Sequence, residues 1–171
     1  MTASGAAPSA APAAPLLPLP QPDPATQPYW DSLRAHAMRL PWCLTCDRAF
    51  FYPRPHCPRC LGTAIEWRPA AGRGTLYSFT IVYRAPPPPP PAPGTAGPAA
   101  GAWAGAVPYV VALVDLEEGV RLMANLVGVA PDATVLRIGT PLELEYADVD
   151  PAVTLPRFRP ALGAPGPGGA R

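Results

Sequence analysis

Apolar and polar positions change their period along this chain, and the changes mark its parts. Between residues 28 and 38, Trp30, Leu33, Ala37 and Met38 recur on one face at helical spacing. Pro28 suits a first helical turn, Thr26 offers a cap, and Asp31 lies near the positive end of the helix dipole. The pattern predicts a short amphipathic helix, stopped by Pro41. Residues 50–52 (Phe-Phe-Tyr) and 65–67 (Ile-Glu-Trp) predict two short strands, the second following a turn at Gly62. From Gly72 the period becomes two. Residues 75–83 are β-branched and aromatic nearly throughout, a long strand with both faces occupied. Residues 109–116 predict another strand, which Gly119 turns back into 120–127, where Val120, Leu122, Ala124 and Leu126 alternate inward. Residues 131–135 suit one helical turn. Gly139 then precedes a last clear strand over 142–146, with Leu142, Leu144 and Tyr146 on one face and Glu143 and Glu145 on the other. Four or five strands with a short helical turn before the last predict a small closed barrel of the OB type.

Between the helix and the barrel stand the chain's four cysteines, Cys43-Leu-Thr-Cys46 and Cys57-Pro-Arg-Cys60. Each C-x2-C pair places two thiolates on a tight knuckle, and two facing knuckles close a four-thiolate site around a metal. With Zn–S bonds of about 2.3 Å such a site is compact and saturated, and therefore structural. Disulfides are the alternative, but nothing in the sequence points to secretion. A thioredoxin-like redox pair wants a single C-x-x-C in a βαβ pattern, which is absent. Zinc is the expected metal, with iron in the same ligand set as its rival. His56 precedes Cys57 and is expected to be a bystander, because four thiols already complete the site. The aromatics at 50–52 are expected to cover the metal. Asp47 stands where a knuckle often has glycine. The predicted fold is thus mainly β: an N-terminal helix, a rubredoxin-like four-cysteine zinc ribbon and an OB-type barrel.

Composition narrows the ordered part. The chain has 171 residues, 29 of them Pro and 15 Gly, near the level at which low complexity is expected. The prolines cluster, which divides the chain into an unordered Ala/Pro tail over 1–27, helix plus ribbon over 28–69, the barrel over 70–159 and a second unordered tail over 160–171. A proline-rich insertion at 84–107 interrupts the barrel. Its six consecutive prolines, 86–91, hold a rod of about 19 Å if extended, and the insertion as a whole is expected to be unstructured and dispensable. Residues 1–26 lack a basic segment and an unbroken apolar run, so they do not resemble a signal peptide. No run reaches the ~20 apolar residues of a membrane-spanning helix. Metal-held thiols fit a reducing compartment, and the expectation is cytoplasmic.

All thirteen basic residues are arginine. Residues 34–84 hold eight of them against Asp47 and Glu66, whereas 85–155 hold eight acids against Arg121 and Arg137. A basic ribbon half joined to an acidic barrel half disfavours a surface that coats nucleic acid uniformly. Neither a Gly-rich phosphate loop nor an HExxH or G-x-S-x-G motif is present, and His36 and His56 sit in a helix and a knuckle.

An ordered set of motifs runs from about 28 to 159. It comprises Tyr29-Trp30, the two cysteine pairs with Pro53-Arg54-Pro55-His56 before the second, and Gly72-Arg73-Gly74-Thr75-Leu76-Tyr77-Ser78. It continues with Pro108-Tyr109-Val110-Val111, Asp115-Leu116-Glu117-Glu118-Gly119 and Ile138-Gly139. This set resembles the zinc-ribbon/OB-fold acyl-CoA-associated family long labelled domain of unknown function thirty-five. Asp47 and the proline-rich insertion depart from the family pattern without touching the ligands. The resemblance implies a non-enzymatic subunit that binds a thiolase-like protein, a lipid-transfer-type aldolase or a MaoC-like enoyl-CoA hydratase, and helps hold or transfer acyl-CoA. Arg54, Arg59, Arg73 and Arg84 are then available for CoA phosphates. Arg54, Arg59, Arg73, Tyr77, Ser78 and Tyr109 are the candidate contacts with ligand or partner, and Cys43, Cys46, Cys57 and Cys60 the metal ligands. The competing reading is a single-stranded nucleic-acid binder, since ribbons and OB barrels serve that role too. A scaffold without ligand contact is a third.

Overall fold

The computed structural model describes residues 19–84 and 107–162. The unordered tails and the proline-rich insertion expected from the sequence lie outside the described residues over 1–18, 85–106 and 163–171. Residues 23–26, read from sequence as part of the tail, make a hydrogen-bonded turn. The Asp23 carboxylate accepts from the amides of Ala25 and Thr26, and the Thr26 hydroxyl pairs with the same carboxylate instead of capping the next helical turn.

That turn leads into α1 (Gln27–Arg34), with Pro28 in its first turn and Tyr29, Trp30, Ser32 and Leu33 buried. The helix ends well before Pro41. His36 adopts φ 51° just beyond the last turn, its amide bonds to Leu33 O, and the Ala37 amide reaches back to Ser32 O. This is the left-handed closing motif in which two orphan carbonyls are satisfied. An imidazole fills the usual glycine position, and it lies parallel to the Tyr146 ring at 4.8 Å and 3.0 Å from the Asp148 carboxylate. Pro41 sits inside the next strand.

β1 (Arg39–Cys43), β2 (Arg48–Ala49) and β3 (Ile65–Pro69) form a three-stranded antiparallel sheet with β1 central. The strand expected at 50–52 is a correction: pairing stops at Ala49, and Pro53 and Pro55 cannot donate to a continuing ladder. Phe50 packs on Cys43 and Cys57, whereas Phe51 turns away to meet Tyr29 edge-on at 5.5 Å.

The remaining strands are β4 (Arg73–Val82), β5 (Tyr109–Leu116), β6 (Arg121–Leu126), β7 (Pro141–Asp150) and β8 (Val153–Pro160). They close into a barrel in the order β4-β5-β6-β8-β7 with β7 back on β4, all pairs antiparallel except β6–β8. That is the connectivity of an OB barrel. Strict alternation buries Val110, Ala112, Val114 and Leu116 on β5 and Leu122, Ala124 and Leu126 on β6. On β4 the register slips between Leu76 and Ser78, so Tyr77 is the extra residue of a bulge and is aimed outward. Gly74 lets β4 cross close to β5: a Cβ there would lie 2.4 Å from Asp115 O. The helical turn expected at 131–135 is a single turn in which the Val135 and Leu136 amides bond to Asp132 O.

β8 was not legible as a strand, because Pro156 and Pro160 argue against one. They face Tyr146 and Leu142. Ala161, in the next register position, donates to Pro141 O. The prolines therefore occupy the alternate positions that make no bond to β7, and their missing N–H groups cost the ladder nothing on that side. Phe158, between them, is completely buried.

One apolar core joins α1, part of the ribbon and the barrel. Tyr29, Trp30 and Leu33 of α1, Met38, Leu40 and Ala49 of the ribbon, and the inward residues of the barrel belong to one cluster. Cys43, Phe50 and Cys57 form a small second cluster at the far end of the ribbon.

Candidate metal centre and partner surface

Cys43 ends β1 and the turn after it carries Cys46, while the loop before β3 carries Cys57 and Cys60. The sheet brings the two loops together, and Leu44 N bonds to Ala64 O between them. All four Sγ atoms lie within 4.8 Å of one another, with Cys43–Cys60 at 3.6 Å and Cys46–Cys57 at 3.9 Å. A tetrahedron with metal–sulfur bonds of about 2.3 Å has edges of about 3.8 Å, so the donor set fits such an ion. None of the four is in a disulfide. Backbone amides support the sulfurs as in a knuckle: Cys46 N donates to Cys43 Sγ and Arg59 N to Cys57 Sγ, each at 3.4 Å. Amide donation from Cys60 and then Arg59 lowers the Cys57 thiol to about 6, whereas hydrogen bonding to Cys60 and burial push Cys46 up to about 12. Four thiols this close do not ionise independently, and a cation among them favours the thiolate form at every position. His56 is exposed and outside the cluster.

Both knuckles need a left-handed residue directly after their second cysteine. Asp47 takes φ 47° and Leu61 takes φ 60°. The Asp47 carboxylate accepts from Trp42 Nε1 at 3.1 Å and lies 3.9 Å from Arg68, whose guanidinium sits over the Trp42 ring. Leu61 is 74% exposed. Its requirement was missed, since the adjacent Gly62 drew the turn to itself.

The other candidates read from sequence fall in separate places. Arg59 lines a depression of about 350 Å³ between the ribbon and the β5–β6 turn, facing Arg48 and Arg121. Arg121 grips Asp115 with two hydrogen bonds, of 2.6 and 2.9 Å, and its guanidinium also lies 3.1 Å from the centre of the Tyr77 ring. Among the described residues, Arg48 and Arg59 have no carboxylate partner. Arg73 lines a separate depression of about 340 Å³ between β4, β5 and β7, clamped on Glu117 by two 2.9 Å bonds. Arg54 is exposed and Ser78 half-buried, and neither lines these depressions. Arg48 and Arg121 were not singled out from sequence, because only the fold brings the two elements side by side.

Tyr109 lines a different feature, an apolar groove of about 530 Å³ between α1, the ribbon aromatics and strands β5, β6 and β8. Trp30, Tyr29, Phe51 and Tyr52 stand along it as successive edge-to-face pairs, 5.4, 5.5 and 5.3 Å between ring centres. Tyr52 and Met123 leave about half or more of their surface open there. Among the described residues no helix is long and apolar enough to cross a membrane.

Comparison with known proteins agrees with this architecture. Residues 30–66 match the rubredoxin-like zinc ribbon domain of ChsH2, and residues 67–147 match the ChsH2 C-terminal OB-fold domain. A probable enoyl-CoA hydratase alpha subunit of Thermomonospora curvata is 35% identical over 134 residues, 78% of this chain and 37% of the relative. The chain thus spans little more than a third of that subunit. A DUF35 domain-containing scaffold protein of Methanothermobacter thermautotrophicus is 29% identical over 63% of this chain and 69% of its own length. Among solved structures, a chain of the Ltp2-ChsH2(DUF35) aldolase superposes with a TM-score of 0.65 at 34% identity, covering 82% of this chain and 98% of that one. With ribbon, barrel and their order all matched, this chain belongs to the DUF35 family of zinc-ribbon/OB-fold proteins.

Proposed function

We propose that this chain is a non-catalytic accessory subunit of an acyl-CoA enzyme. It binds a thiolase-like aldolase or an enoyl-CoA hydratase and helps hold or transfer the acyl-CoA, with zinc in its four-cysteine site and the cytoplasm as its compartment. The observation that carries the reading is the arginine-lined depression. Arg48 and Arg59 reach it from the ribbon without acidic partners, and Arg121 reaches it from the barrel. Planar guanidinium forks suit the phosphate and pyrophosphate oxygens of coenzyme A. The depression also lies where a partner would touch ribbon and barrel at once, and the exposed Tyr77 stands beside Arg121. The relatives' names support the same class: one couples Ltp2 with ChsH2(DUF35) in an aldolase, one is a hydratase alpha subunit, and one is a scaffold. The acids of β7, Glu143, Glu145, Asp148 and Asp150, weigh against a barrel face for nucleic acid.

The test is to recover the partner enzyme on the tagged chain and titrate coenzyme A into the complex at two salt concentrations. Arg48→Glu/Arg59→Glu is expected to weaken coenzyme A or partner binding at least about tenfold, while one zinc per chain is retained. Unchanged binding, or steeply salt-dependent binding of single-stranded DNA with no acyl-CoA enzyme recovered, would reject the reading. Turnover of acyl-CoA by the isolated chain would reject its non-catalytic part.

A further inference from the structure

The aromatic groove has a wall made by the chain's own N-terminal segment. Pro20 lines it together with Tyr29, Trp30 and Tyr52. The reason lies in residues 23–26. The Asp23–Thr26 hydrogen bonds fix a tight turn at the entrance to α1, and Pro20, just before that turn, lies in the groove wall. The residues immediately before Pro20 are Pro15-Leu16-Leu17-Pro18-Leu19. Apart from Met1, Leu16 and Leu17 are the only large apolar residues in 1–18, the rest being Ala, Pro, Gly, Ser and Thr.

Grooves lined by successive aromatic rings are the surfaces on which proline-rich segments dock, because a left-handed polyproline helix is already extended and loses little entropy on binding. The geometry points to residues 15–19 as the occupant of this groove, bound in cis as a polyproline II segment continuing from Pro20. The three-residue period of that helix puts Leu17 on the same edge as Pro20, and therefore against the aromatic rings, with Leu16 and Leu19 together on another edge. Leu19 is partly exposed, as this arrangement requires. Residues 15–20 span ~19 Å in this form. The segment adjoins its own anchor, so its effective concentration is at least in the mM range of short linkers, and a weak intrinsic affinity is enough to keep the groove covered.

The experiment compares the full chain, a chain lacking residues 1–18, and the full chain carrying Leu17→Asp, each first checked for metal content and far-ultraviolet circular dichroism. An apolar fluorescent dye reads the groove, and the indole N–H resonance of Trp30 reads its wall. Deletion and Leu17→Asp are both expected to raise dye fluorescence about threefold by exposing the aromatic patch. A synthetic peptide of residues 13–22 should reverse the rise on the truncated chain and shift the Trp30 resonance, and the same peptide with Leu17→Asp should do neither. Equal dye binding by all three chains overturns the proposal. So does a Leu17→Asp chain that behaves like the parent, or a truncated chain that dimerises through the groove and ignores the peptide. The assay uses the isolated chain, so its outcome is independent of which enzyme the arginine-lined depression serves.

Discussion

Leu61 combines a left-handed backbone angle with an apolar side chain that faces mainly solvent. A side chain at such an angle costs about 1–2 kcal/mol. Glycine removes that cost and returns about 0.4–1 kcal/mol through the entropy of the unfolded chain. Leu61→Gly is therefore expected to stabilise the ribbon by about 0.5–1 kcal/mol, seen as a higher urea midpoint. Asp47→Gly relieves the same strain but loses the bond from Trp42 Nε1 and the nearby Arg68, so it should leave the midpoint level or lower it. A rise of equal size in both variants would show that the Asp47 carboxylate contributes nothing. The sequence announced the cysteines, because their spacing is itself the geometry of the site, and it flagged Asp47 by its place after Cys46. It did not flag Leu61 or the Schellman-type role of His36. In both, a side chain occupies a glycine's place, and for His36 only distant partners, Tyr146 and Asp148, give a reason.

Among the elements, the joint between ribbon and barrel carries buried hydrogen bonds beside the shared apolar core. The Met38 amide, on a nearly fully buried residue, donates to the Tyr146 hydroxyl at 2.8 Å, and Ala70 N bonds to Met38 O. Tyr146→Phe keeps the ring on His36 but leaves the Met38 amide without its acceptor. A buried orphan donor costs about 1–3 kcal/mol, so this one oxygen should lower the thermal midpoint measurably. No change would mean that another acceptor or water reaches the amide. Strands with plain alternation, β5 and β6, could be read from sequence because each buries one face. β8 could not, since its prolines look like breakers until the register shows which positions bond to β7. The bulge at Tyr77 was likewise hidden: it is a mismatch between two strands, and a pattern along one strand does not contain it.

At the scale of the molecule, the shared core makes the metal everyone's concern. Tyr29, Leu33, Met38, Leu40 and Ala49 pack with barrel residues in one cluster, while the ribbon's own cluster is little more than Cys43, Phe50 and Cys57. So small a cluster cannot hold the two knuckles together without an ion, which supplies on the order of 10 kcal/mol in comparable modules. Stripping the metal with a strong chelator is expected to lower the melting of the whole described molecule in one cooperative transition, as followed by circular dichroism and calorimetry. Two separate transitions, with the barrel melting as before, would show that the parts are energetically independent. The barrel itself is closed unevenly. β5 and β6 join across a tight turn at Gly119, and β7 and β8 form a hairpin, but β4 reaches β5 only across residues 83–108. Two seams then close the ring: β4 on β7 through Arg73↔Glu143, Gly74↔Leu142 and Thr75↔Pro141, and the parallel pair β6–β8 through Asn125↔Arg157 and Leu126↔Phe158, with Val127 N donating to Phe158 O. The partners stand some seventy residues apart in the first seam and some thirty in the second, so the chain must surrender loop freedom before either returns anything. In time, then, the ring is two local hairpins, β5–β6 and β7–β8, with β4 bridging them: the two seams are the last stitches in folding and the first to part.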